Sequence, residues 1–250
     1  MTRDRRCVLI TGGSRGIGRA TALAFAGAGA AVAFNYSREE DQDEADETLA
    51  ALRATGAPTY AARADVADAA AMTRFFAELR EALGTPDVLV NNAAVTHDAL
   101  LMMLPEEAWD RVLDIDLKGA YLCCRAALRG MIAGRWGRVV NVVSPAAFFG
   151  KEGAASYAAA KGGLVALTKS LAREVARYGI TVNAVSPGYV ETRLIGDRDE
   201  AARRDLERQI PLGRLGAREE IAAAILFLAS PAASYVTGTT VHVDGGLTML

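Results

Sequence analysis

The sequence predicts one doubly wound α/β domain, a parallel sheet of about seven strands with helices on both faces. Three observations carry this expectation. Apolar runs of strand length alternate with longer helical patterns along all 250 residues. The runs are rich in Val and Ile without strict polar alternation, which suits strands covered on both faces. A glycine cluster follows the first run at once, where a strand must turn into a helix.

In chain order, strands are expected at 7–11, 31–35, 59–64, 88–91, 138–144, 181–186 and 240–243. Helical patterns fill the gaps at 18–28, 43–55, 69–83, 106–132, 155–177 and 218–229. The acidic stretch 39–47 reads as the solvated start of a helix, where negative charge suits the dipole. Residues 196–209, charged and set between Pro187-Gly188 and Pro211, read as a surface helix departing from the sheet; the segment 190–212 is a candidate lid. No composition break marks a linker, so residues 1–250 read as a single domain.

Composition narrows the function. Hydrophobic residues make up 51% and charged residues 23%, ordinary for a soluble globular chain. A formal net charge of -2 gives no electrostatic case for nucleic acid or an anionic membrane. Cys7, Cys123 and Cys124 offer no C-x-x-C spacing, so neither a disulfide framework nor a metal site is expected. Residues 1–6 are short and polar, and no apolar run is long enough to span a bilayer; a cytoplasmic setting follows as the expectation.

The glycine cluster is Thr11-Gly12-Gly13-Ser14-Arg15-Gly16-Ile17-Gly18. Glycines here permit a tight turn, let backbone N–H groups approach a pyrophosphate, and allow close helix–strand packing. The helix that follows offers its N-terminus to the phosphates. Such a loop at the first strand–helix junction predicts dinucleotide binding on a Rossmann-type sheet. An acid about 20 residues further on would hold a ribose 2′-hydroxyl and select NAD. Asn35-Tyr36-Ser37-Arg38 stands there instead, with no acid until Glu39. Arg38 with Arg15 suits a 2′-phosphate, hydrogen-bonded also by Ser14 and Ser37, which favours NADPH/NADP+ over an NAD reading through Glu39.

Tyr157 and Lys161 are four residues apart in an alanine-rich helical stretch, so phenol and ammonium share a face. A lysine cation beside a phenol favours the phenolate, which suits Tyr157 to give and take a proton near neutral pH. Ser144, at the end of an apolar run, supplies a hydroxyl for the oxygen that gains or loses that proton.

Together these residues resemble the short-chain dehydrogenase/reductase family across almost the whole chain. The likeness rests on the loop 11–18, Asn91-Asn92-Ala93-Ala94, Ser144, the Tyr157/Lys161 pair and Pro187-Gly188. Stretches 97–102, 170–175 and the tail from Val236 to Gly246 are similar to the 3-oxoacyl-[acyl-carrier-protein] reductases. The resemblance implies NADPH-dependent reduction of a 3-oxoacyl thioester, in fatty-acid or polyketide synthesis. Tyr157 would protonate the carbonyl oxygen, Ser144 would orient it, and Lys161 would hold the nicotinamide ribose. It further implies cofactor contacts from Gly12, Ser14, Arg15, Gly16, Ile17, Gly18, Ser37 and Arg38. Asp65, Val66, Asn92, Ala93, Pro187, Gly188, Val190 and Thr192 complete that set, with Asn91 beside it at the end of the fourth strand.

Three residues depart from the family pattern. Asp116 replaces the family's fourth catalytic residue, an asparagine whose main-chain carbonyl extends a proton relay from the lysine. The aspartate keeps that carbonyl, but its charge is costly if buried without a partner. Ala94 replaces a glycine, and Pro145 stiffens the loop after Ser144. The resemblance also implies an acidic acyl carrier protein as partner, for which Arg135, Arg138, Arg173 and Arg177 are candidate contacts and Arg135 the foremost. Phe148, Phe149 and Tyr189 are candidate linings of an acyl pocket. A homotetramer is implied, with a dimer as fallback, built through helices 106–132 and 155–177 and the apolar tail 247–250. The alternatives are a reductase of a free alcohol, ketone, sugar, steroid or acyl-CoA, and a non-catalytic cofactor-binding subunit.

Overall fold

The computed structural model describes residues 5–191 and 200–249. Seven strands form one sheet in the order β3-β2-β1-β4-β5-β6-β7, and every neighbouring pair is parallel. They are β1 (Cys7–Thr11), β2 (Ala31–Tyr36), β3 (Thr59–Arg63), β4 (Val88–Asn91), β5 (Gly137–Val142), β6 (Ile180–Pro187) and β7 (Thr240–Val243). The order reverses between β1 and β4, and such a switch point opens a crevice at the carboxyl ends of the strands.

Along β1, Val8 and Ile10 belong to one apolar core and Cys7 and Leu9 to the other. The period-2 pleat therefore buries successive residues on opposite faces, which is why the runs carry no polar alternation. Helices α1 (Gly16–Gly27), α2 (Gln42–Ala54) and α9 (Arg218–Ala229) cover the first face through Phe25, Leu52, Ile221 and Ile225. The second is covered by α3 (Ala69–Ala82), α5 (Ala120–Gly134) and α7 (Ala155–Val175), through Phe75, Leu79, Met131 and Leu171. All three cysteines are buried and free, so they act as packing residues.

The expected helix 106–132 is not one continuous α-helix. It runs as α4 (Glu106–Leu113), a π-helical turn (Asp114–Gly119) and α5. π-Turns inside helices often mark functional sites. Close approaches hold this one in place. A Cβ on Gly119 would lie 2.7 Å from Val66 Cγ2, and one on Gly163 of α7 would lie 2.8 Å from Leu117 Cδ2. Both glycines let the π-turn sit against its neighbours, and the second brings Asp116 up to α7.

Other differences from the sequence reading are local. β5 begins one residue earlier than expected and ends at Val142, so Ser144 lies on the loop beyond it. Within the strand, Arg138 is 4% exposed, its guanidinium 4.5 Å from the Trp136 ring centroid. In the acidic stretch, a short 3-10 turn (Glu39–Asp41) precedes α2, and Asp41 is buried instead of solvated. Of the charged segment 196–209, α8 (Glu200–Gln209) is described and packs Leu206 with Ile210, Leu215 and Tyr189; residues 196–199 lie outside the described residues.

A buried polar chain fastens α7 to the sheet. Asn91 Nδ2 on β4 donates to Asn141 Oδ1 on β5 (2.8 Å), and Asn141 Nδ2 donates to Thr168 Oγ1 on α7 (2.8 Å). Asn91 therefore faces the interior and does not line the cofactor cleft, contrary to the sequence reading. Losing Asn141 leaves Asn91 Nδ2 with only the weak Cys124 Sγ contact (3.3 Å) and Thr168 Oγ1 with only its bond to the Leu164 carbonyl. Asn141→Ala is expected to lower unfolding stability by about 2–3 kcal/mol in urea denaturation, and Thr168→Val by less.

Candidate active site

α7 places Tyr157 and Lys161 one turn apart, with the Lys161 Nζ 5.5 Å from the Tyr157 ring centroid. Tyr157 is partly exposed, whereas Lys161 is only 2% exposed. Three groups satisfy the buried ammonium's surroundings. Nζ donates to the Val142 carbonyl (3.0 Å), it lies 3.2 Å from Asp116 Oδ2, and the Tyr157 ring flanks it. The other Asp116 oxygen, Oδ1, accepts from the Val95 amide (2.8 Å). The carboxylate thus bridges the lysine and the loop after β4.

Burial and pairing oppose each other at both groups. For Lys161, burial works against the ammonium, but Asp116, helped by the Tyr157 oxygen, outweighs it and holds the amine above its usual range. For Asp116 burial wins: Lys161 and the Val95 amide pull its carboxyl down, yet it stays above the usual carboxylate range.

Ser144 stands just past β5, at the carboxyl edge of the sheet. Its Oγ accepts from the Ala146 amide (3.3 Å), and its carbonyl accepts from Ala147 (3.0 Å). Pro145 opens the one-turn helix α6 (Ala146–Phe149), a place where a missing N–H costs nothing. Pro145 therefore fixes the turn that presents the serine.

The glycine loop lies on the other side of the same crevice. Gly12 and Gly16 have φ of 64° and 57°, the left-handed region that glycine adopts freely. A Cβ on Gly18 would lie 2.2 Å from the Gly12 carbonyl oxygen and 2.7 Å from Asn92 Nδ2. Asn92 locks the loop to β4: its Nδ2 donates to the Thr11 and Gly12 carbonyls (2.9 and 3.0 Å). Thr11 Oγ1 in return accepts from the Asn92 and Ala93 amides (2.9 and 3.0 Å). A tight backbone cradle ahead of the α1 N-terminus is what a pyrophosphate requires, so these residues fit a dinucleotide.

One cleft of about 560 Å³ joins the two halves; Ser144, Tyr157 and Lys161 line it together with Ile17, Asn92 and Gly188. Gly188 must be glycine there, because a Cβ would lie 2.7 Å from the Asp244 Cα. Ala94 also lines the cleft, so its extra methyl narrows the cavity. Val190 is buried and bridges Gly216. Asp65 is held by Arg111 (2.7 Å) and by the Ala67 amide, while Val66 is buried beside Gly119. Phe149 and Tyr189 line the cleft as expected, but Phe148 stacks on His242 at 4.9 Å. Thr192 lies outside the described residues.

At the far end of β2, Arg15 and Arg38 converge as the sequence suggests, though both are already engaged by carboxylates, chiefly Asp41. Ser14 is buried beneath them, its carbonyl accepting from Thr48, and Ser37 is exposed. Arg135 and Arg177 lie near the opposite edge of the sheet, before β5 and β6, where Arg135 donates to the Arg177 carbonyl (3.2 Å). Arg138 is sequestered by Trp136 and cannot be a docking contact. Sequence reasoning missed Val95, Asn141 and Thr168. A polar residue inside the apolar run Val139-Val140-Asn141-Val142-Val143 was the available signal for the second of these.

The family model described as enoyl-(acyl carrier protein) reductase matches residues 12–248. The 3-oxoacyl-[acyl-carrier-protein] reductase FabG of Pseudomonas aeruginosa is 42% identical over 249 residues, covering 100% of both chains. The protein of that name from Staphylococcus aureus is 42% identical over 98% of each chain, and that from Escherichia coli K12 is 40% identical over 100% of each. A crystal structure of a putative short-chain alcohol dehydrogenase from Sinorhizobium meliloti superposes with a TM-score of 0.92 at 37% identity, over 98% of this chain and 96% of that one.

Asp116 raises the Lys161 pKa, so its removal lowers it. Asp116→Asn keeps an acceptor for Val95 but leaves the buried ammonium without a counter-charge. Turnover is expected to persist below neutral pH, while the alkaline limb of the kcat–pH profile moves to lower pH. An unmoved limb shows that the carboxylate is not the lysine's counter-ion.

Proposed function

The chain belongs to the short-chain dehydrogenase/reductase family, and we propose that it reduces a 3-oxoacyl thioester to the 3-hydroxyacyl thioester with NADPH. One observation carries the reading. The Ser144 and Tyr157 side chains line the same cleft as the residues beside the glycine loop, so a proton donor and a hydride source meet in one cavity.

A nicotinamide cofactor bound there supplies the hydride. The chain's residues do the rest. Tyr157 delivers the proton to the carbonyl oxygen, and Ser144 donates a hydrogen bond that orients and polarises it. Lys161, paired with Asp116, would hold the ribose and sets a cation beside Tyr157. Gly12, Gly16, Ile17 and Gly18 would cradle the pyrophosphate; Asn92, Pro187, Gly188 and Val190 line the cleft, while Val66 and Ala93 line a separate small pocket with Asp116. Arg15 and Arg38 would take the 2′-phosphate.

The matched relatives are named for carrier-bound substrates, and we extend this to an acyl carrier protein as partner of this chain in fatty-acid synthesis. We place the enzyme in the cytoplasm; among the described residues no helix is long and apolar enough to cross a membrane. Exposed Tyr121 and Ile132 on α5, with Phe227 on α9 and Met249 in the tail, support two self-association faces and hence a homotetramer. Of the candidate lid 190–212, residues 192–199 lie outside the described residues; the described part packs Leu206 and Ile210 with the cleft residue Tyr189, which supports a covering role.

Reduction of an enoyl thioester is the alternative contained in the family model's description. The Ser144 and Tyr157 hydroxyls on the cleft wall favour the ketone, whose oxygen must receive a proton. Purified protein is expected to oxidise NADPH with acetoacetyl thioester and not with crotonyl thioester. Tyr157→Phe is expected to cut that rate by about 10²–10⁴-fold while retaining NADPH binding. Turnover of a free sugar or alcohol without turnover of the 3-oxoacyl thioester overturns the reading.

A further inference from the structure

The corner assigned to the 2′-phosphate already contains an anion of the chain's own. Arg38 grips Asp41 with both arms of its fork: Nε donates to Oδ2 and Nη2 to Oδ1, each at 3.2 Å. Arg15 Nη1 donates to the same Oδ1 and also to Glu44 Oε2 (2.8 Å). The remaining Arg38 arm, Nη1, pairs with Glu40. Asp41 is no solvated surface acid, because its side chain is 8% exposed. Burial alone would raise its pKa, but Arg15 and Arg38 outweigh that and hold the carboxyl below the usual range.

A carboxylate held this way is chemically close to the group the arginines are assigned to receive. Planar guanidinium forks recognise carboxylate and phosphate with the same bidentate geometry. The local balance matters as well. Two guanidiniums face the carboxylates of Glu40, Asp41 and Glu44, so an incoming dianion meets a cluster that is already net negative. An unphosphorylated ribose brings no charge and asks nothing of the arginines.

We propose that Asp41 is a specificity-determining residue: it occupies the phosphate-recognising face of Arg15 and Arg38, so a 2′-phosphate binds only by displacing it, and discrimination between NADPH and NADH stays modest. The inference rests on the dinucleotide reading of the glycine loop and is independent of which ketone is reduced. Specificity here is a difference of two affinities, and the resident carboxylate counts against only one of them.

Isothermal titration of the full chain with NADPH and with NADH tests this without any turnover. Asp41→Asn is expected to tighten NADPH binding about tenfold, equivalent to about 1.4 kcal/mol, and to leave NADH within about twofold. Glu44→Gln, which removes one of the two carboxylates on Arg15, is expected to shift the ratio the same way by less, and decides the matter should Asp41→Asn fail to fold. An unchanged NADPH:NADH ratio overturns the proposal. So does a fall in the ratio, which makes Asp41 a mere holder of the arginines. Wild-type protein that binds neither dinucleotide refutes the cofactor reading itself, a distinct outcome; failure with thioesters alone leaves this proposal standing.

Discussion

The ion pair between Lys161 and Asp116 is the constraint on which the rest of the site depends. A lysine almost fully removed from solvent loses most of its hydration, and an amine in that position tends to give up its proton. Here a carboxylate 3.2 Å away restores the ammonium. The same carboxylate anchors the Val95 amide, so one side chain fixes both the charge beside Tyr157 and the path of the loop that carries Asn92 and Ala93. Buried pairs gain little net stability against an apolar substitute, whereas a lone buried charge is costly. The pair is therefore better understood as setting geometry and charge state than as holding the fold together.

Its placement needs the helix around it. The π-turn Asp114–Gly119 reorients one turn of backbone, and Gly119 and Gly163 let that turn lie against Val66 and α7. The Asn91–Asn141–Thr168 chain then keeps α7 at a fixed height on the sheet. The two ends of the cofactor cleft share a theme: at each, a buried aspartate holds cationic side chains. At Lys161 the partner keeps a cation charged; at Arg15 and Arg38 it occupies cations assigned to a ligand.

Much of this was legible in the sequence because it depends on short-range rules. The runs at 7–11, 88–91 and 240–243 coincide with strands, since apolar β-branched residues flanked by turns have few other options. The glycine loop and the Tyr157/Lys161 spacing state their own geometry. What escaped depends on contacts between distant segments. Nothing local marks the π-turn, because one extra residue in a helix changes no periodicity that a short window can register. The fate of Asp116 was open for the same reason: its charge is tolerable only because Lys161, 45 positions later, comes within reach. Asp41 looked like one of several solvated acids until Arg15 and Arg38 were seen to close over it. Arg138 was assigned to the right strand, but only the assembled fold shows it buried over Trp136 and withheld from the rim.

The most direct test of the account is the protonation state of Lys161 itself. The ¹³Cε and ¹⁵Nζ resonances of labelled lysine, assigned by comparison with Lys161→Met, can be followed from pH 7 into the alkaline range. With Asp116 as counter-ion, the Lys161 amine keeps its proton to a higher pH than the free amine value of about 10.4. An amine that titrates below that value would mean burial prevails over the pair, and the charge assigned to the catalytic helix would not be there.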